Sequence, residues 1–113
     1  MIIDGTDITM VRGDSESITV SCKNPDGSVH PFEAGDMVYF TVKKDAYREE
    51  TILQKIATDF TDGRAMMMID PEDTRRLDFD VYKYDVQLTT ASGRVTTIIP
   101  MSNFRVTEEI TYD

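Results

Sequence analysis

The sequence predicts an all-β fold: an antiparallel sandwich of about seven strands with one short helical turn. Three observations carry this. Residues 81–99 read VYKYDVQLTTASGRVTTII, in which Tyr82, Tyr84, Val86 and Leu88 alternate with Lys83, Asp85, Gln87 and Thr89. That is the period of a strand with one buried and one solvated face. Turn residues recur at intervals of roughly ten residues, as in sandwiches and barrels. Only one segment, Asp70-Pro71-Glu72-Asp73, carries a helix-start signal. A Tyr-rich penultimate strand after a helical turn points to the immunoglobulin-like type of sandwich. A small β-barrel is the alternative with similar spacing.

The elements follow in order. Residues 8–11 make a short first strand, closed by Arg12-Gly13-Asp14. Residues 16–23 (ESITVSCK) make a second, with Ile18, Val20 and Cys22 on one face. Asn24-Pro25-Asp26-Gly27 is a turn, because proline presets φ at its second position and glycine closes the fourth. Residues 28–32 lead into a loop over 33–36, and residues 37–43 (MVYFTVK) form a strand facing the core with Val38, Phe40 and Val42. Residues 45–51 are polar and read as a loop, and 52–58 as a strand of ambiguous facing. Asp62-Gly63 is a hairpin turn into 64–69 (RAMMMI).

A helical turn or two is expected over 71–77, with acids early and arginines late, the order a helix dipole favours. The long hairpin follows, turning at Ser92-Gly93. Pro100 implies a bulge or an edge position in the last strand, which Phe104, Val106 and Ile110 continue. In immunoglobulin-like domains a tyrosine entering the penultimate strand bonds back to the preceding connection. Tyr84 fits, two residues before the Val86 that stands in place of the second antibody cysteine; Tyr82 is the other candidate. With no tryptophan and a single cysteine, this is not an antibody-type domain. The predicted core set is Val20, Cys22, Val38, Phe40, Val42, Tyr84, Val86 and Leu88.

A chain of 113 residues is expected to be one domain, 1–113, large enough for a core without metal or disulfide support. With 40% hydrophobic and 29% charged residues, its composition is that of a globular protein and not a disordered one. A formal net charge of −9 argues against a nucleic acid or an anionic membrane surface as partner. Cys22 can form no intrachain disulfide and reads as a small buried hydrophobe. Met1-Ile2-Ile3 runs at once into Asp4 and Gly5, so no signal peptide is expected. No apolar run approaches the roughly 20 residues of a membrane span. Synthesis and folding in a cytoplasm are the expectation.

No residue is a candidate for catalysis, cofactor binding or metal binding. Asp78 with Asp80, and Asp59 with Asp62, lack the ligand count and glycine placement of a calcium loop. Asp70, Glu72 and Asp73 are explained as helix-start residues. His30 and Cys22 have no zinc-ligand spacing, and a Cys–His nucleophile would need the two brought together. Arg12-Gly13-Asp14 spells an integrin-binding tripeptide, but a tight turn suffices to explain its glycine. Met66-Met67-Met68 alternates in a strand, so at least one methionine must face away from the core, where it can pack on another subunit.

Taken together, Arg12-Gly13-Asp14, Asp26-Gly27, YKYDVQL over 82–88, Ser92-Gly93 and FRVT over 104–107 resemble a known pattern. It is that of the immunoglobulin-like domain at the N-terminus of phage baseplate upper proteins, and of related small phage and prophage proteins of Gram-positive bacteria. The resemblance covers nearly the whole chain, and YKYDVQL with its following turn glycine is its most specific piece. It implies a non-catalytic structural role in a tail or baseplate, with other protein subunits as partners, and assembly into a virion. The alternative function is a carbohydrate-binding or surface-adhesion sandwich. Such modules gather aromatic rings on one surface, whereas Tyr39, Tyr47, Tyr82, Tyr84 and Tyr112 are scattered along the sequence. A small enzyme on a β scaffold is disfavoured by the lack of any catalytic constellation.

Overall fold

The computed structural model describes residues 1–111, so Tyr112 lies outside the described residues. The chain forms β1 (Ile2–Asp4), β2 (Asp7–Val11), β3 (Glu16–Val20), β4 (Cys22–Lys23), β5 (Val29–His30), β6 (Met37–Lys43), β7 (Thr51–Ala57), β8 (Ala65–Ile69), α1 (Pro71–Thr74), β9 (Asp80–Thr89) and β10 (Val95–Thr107). Seven of these strands, β2, β3 and β6 to β10, have five residues or more. The expected all-β sandwich with a single helical turn is therefore the observed fold.

One layer is a six-stranded sheet in the order β1-β2-β10-β9-β6-β7. The facing layer is the pair β3-β8, and β4-β5 is a separate small hairpin. Among the described residues all strand pairings are antiparallel except β2 with β10, which runs parallel from Phe104↔Ile8 to Thr107↔Val11. Alternation decides the facing, as the pleat requires. Val38, Phe40, Val42, Tyr84, Val86 and Leu88 point inward, and so does Val20 from the facing layer. Ile18, Ala65, Met67 and Ile69 complete the lid over Phe40, Phe104 and Met10, in one contiguous core.

The turns obey their local chemistry. The Gly27 N–H donates to the Asn24 carbonyl at 2.9 Å, and the Ser28 N–H to the Asp26 carboxylate at 2.9 Å. Asp62 (φ 53°) and Gly63 (φ 71°) both take left-handed backbone. At Gly63 an added Cβ would lie 2.5 Å from the Cβ of Pro31, so glycine is required by space as well as by φ. The Asp70 N–H donates to the Asp73 carboxylate at 2.7 Å, and Pro71 occupies the first turn of α1.

Several expectations are corrected. The second strand splits at Ser21: β8 offers partners only to residues 16–20, so Cys22 and Lys23 pair with Val29 and His30 instead. Cys22 consequently sits half-buried at the core margin rather than within it. The Asp62-Gly63 hairpin turn is present, Thr61 and Arg64 exchanging N–H···O bonds of 3.0 Å in an antiparallel bridge, but the pairing stops there, since β7 belongs to the large sheet and β8 to the small one. The bulge expected at Pro100 is observed as a register shift between Ile99 and Ser102, but β10 runs on through it as one strand. Ile110 lies beyond β10 and is fully exposed. An additional strand, β1, folds back on β2 through Gly5 (φ 61°). The tyrosine corner is made by Tyr82, whose hydroxyl donates to the Asp78 carbonyl at 2.9 Å. Tyr84, two residues deeper, sends its hydroxyl across to the Thr6 carbonyl of the β1–β2 turn.

Candidate functional site

The outer face of the large sheet carries a groove of about 410 Å³. Its floor comes from cross-strand register. Thr41 lies beside Gln54 on β7 and Asp85 on β9, while Lys43 lies beside Lys83. One wall is Met101, displaced by the irregular stretch at Pro100; the other is the loop after β6, through Asp45 and Ala46. The Gln54 amide donates to the Thr41 hydroxyl at 3.1 Å, and the Lys83 ammonium to the Asn103 side-chain carbonyl. Burial raises the Asp85 carboxyl above its ordinary value, with the Lys43 charge opposing the shift. Among the described residues, no side chain or backbone group donates a hydrogen bond to Asp85. Sequence reading missed this groove because Asp85 and Thr41 look there like ordinary solvated positions of two strands.

On the opposite side of the molecule, β8 turns Met67 inward and Met66 and Met68 outward, the two outward side chains being more than half exposed. Among the described residues, β8 has a strand partner, β3, on one edge only.

Cys22 and His30 are brought together as a cross-strand pair of β4 and β5. Among the described residues no side-chain hydrogen bond joins them, so the pair lacks the base–nucleophile contact of an activated thiol. Arg12 of the Arg-Gly-Asp tripeptide is held within the fold. Its guanidinium donates to the Glu109 carboxylate through Nε and Nη2, at 3.0 and 2.7 Å, to the Leu77 carbonyl through Nη1, and lies 4.1 Å from the Phe79 ring centroid. The Gly13 N–H is taken by the Thr74 hydroxyl at 2.9 Å. The tripeptide is thus a clamp between β2, the α1 connection and the segment after β10.

Asp80 pairs with Lys44, and among the described residues no three His, Cys, Asp or Glu side chains gather as a metal site. Asp70 and Asp73 face Lys55, with Asp73 at 2.8 Å. No helix among the described residues is long and apolar enough to cross a membrane. No protein-family model, curated protein or solved structure matches the chain.

Proposed function

We propose that this domain is a non-catalytic structural module that holds a protein partner by strand addition, in a phage or prophage tail or baseplate as the sequence resemblance implies. The observation that carries the reading is β8: among the described residues it is an edge strand with no partner on its second side, and it carries two exposed methionines on its outer face. An unpaired edge offers main-chain donors and acceptors to an added strand, and methionines adapt to the surface laid against them.

A second copy of this chain fits that edge. Antiparallel pairing about Met67 would set Met66 against Met68 of the partner, and Arg64 against its Asp70. Arg64 and Asp70 are both exposed, so the two ends are complementary in charge under a two-fold axis. The net charge of −9 on each copy opposes association at long range, and salt screens that repulsion.

Sedimentation equilibrium at physiological salt tests the reading. The expected mass is twice the 12.8 kDa of the chain. Arg64→Asp and Asp70→Arg should each shift the equilibrium to monomer, and the double reversal should restore the dimer. Thermal unfolding of each variant checks that α1 still forms. A folded wild-type protein that stays monomeric at every concentration refutes the second copy as partner. Dimers untouched by either reversal place the contact elsewhere.

A further inference from the structure

We infer that the groove around Asp85, on the face opposite β8, is a binding site for a neutral saccharide. This is independent of the strand-edge reading and uses none of the same residues.

Four observations support it. The first is size: about 410 Å³ lies within the range of small-ligand sites, roughly 300–1,000 Å³. The second is the half-buried Asp85 carboxylate, which receives no protein hydrogen bond among the described residues. A partly desolvated acceptor gains most from a ligand that brings its own O–H donors.

The third is the mixture around it. Lys43 supplies a donor, Gln87 both donor and acceptor, and Gln54 keeps its amide oxygen after donating to Thr41. Adjacent hydroxyls of a sugar ring need such alternating partners, because each O–H both gives and accepts. The lining charges are Lys43 and Lys83 against Asp45 and Asp85, so they balance although the whole chain is strongly acidic. A phosphate would meet the two carboxylates and a cation the two ammonium groups. A neutral polyhydroxyl ligand meets neither penalty.

The fourth is the pair of walls. Met101 presents an exposed apolar side chain on one side, suited to the C–H face of a pyranose. On the other side the loop after β6 closes the groove through Asp45 and Ala46, its turn fixed by the Asp45 carboxylate accepting the Tyr47 N–H at 2.9 Å. The irregular stretch at Pro100 brings Met101 to the groove, as irregular strands commonly re-aim a side chain beside a site.

The test is a ¹H–¹⁵N NMR titration of the whole chain with glucose, galactose, N-acetylglucosamine and rhamnose, and separately with inorganic phosphate. The expected result is saturable shifts at the amides of Thr41, Gln54, Asp85, Gln87 and Met101 with at least one sugar. Asp85→Ala should weaken that binding about tenfold or more, the worth of a hydrogen bond to a charged group. Met101→Ala removes only an exposed wall and should weaken it severalfold, with the spectrum showing an intact fold. Binding should persist in Arg64→Asp, which separates this site from the β8 edge. Absence of these shifts with all four sugars overturns the inference. So does a response to phosphate alone, or binding of equal strength in both groove variants.

Discussion

Replacing Phe40 tests the packing logic of the whole sandwich. Its side chain is fully buried at the centre of β6. Its ring centroid lies 5.1 Å from that of Tyr84 and 6.1 Å from that of Phe104, so one residue ties three strands of the large sheet together. Truncation to alanine removes the transfer free energy of the ring and leaves a cavity that stiff neighbouring strands cannot fill, a loss of about 3–5 kcal/mol. At about 0.05–0.15 kcal/mol per residue, a 113-residue chain has roughly 6–17 kcal/mol in all, so Phe40→Ala should still fold at moderate temperature. Phe40→Leu keeps much of the apolar volume but gives up two ring contacts, each worth about 0.5–1.5 kcal/mol, and should lose about 1–3 kcal/mol. Urea unfolding followed by circular dichroism and tyrosine fluorescence measures both, since the chain has no tryptophan. The slope with denaturant should not change, because the same surface is exposed on unfolding. A loss below about 1 kcal/mol for Phe40→Ala, or equal losses for the two variants, would refute the assigned facing of β6.

Two further outcomes follow from the same geometry. Tyr82→Phe leaves the ring in place and removes only the bond to the Asp78 carbonyl, so it should cost about 1 kcal/mol by denaturant unfolding; no loss would mean that the corner does not brace the α1 connection. The bonds from Arg12 hold the Glu109 carboxyl below its ordinary value, which makes their contribution pH-dependent. A lowered folded-state value means stability that is present above the ordinary glutamate range and is lost as pH falls through the folded value. Glu109→Gln should therefore unfold at a lower temperature than the wild type near neutral pH, with the gap closing in acid, and a gap that stays constant with pH would remove Glu109 from the clamp.

The sequence by itself determined the features that depend on neighbours along the chain. Alternation in β6 and β9 settled which side chains face inward, because a strand has only two faces. Asn24-Pro25-Asp26-Gly27, Asp62-Gly63 and Ser92-Gly93 turned where their backbone preferences require. Asp70-Pro71 started α1 for the same local reason, and the run of three methionines had to expose some of its members.

Tertiary structure decided everything that depends on which strands meet. Pairing is non-local, so alternation could not reveal that β8 leaves the sheet of β7, or that the strand through Ser21 divides once β8 has no more partners to offer. The choice of Tyr82 over Tyr84 for the corner turned on where the α1 connection passes. Cys22 and His30 became neighbours only because residues 29–30, too short a run to read as a strand, pair back on residues 22–23. The groove is the clearest case, since residues 41, 54, 85 and 101 come from four strands. Each looks like a solvated strand position until register sets three of them in one row and the irregularity at Pro100 carries Met101 to its margin. A chemical site made of ordinary side chains is invisible to periodicity, because what makes it a site is the register between strands and not the composition of any one of them.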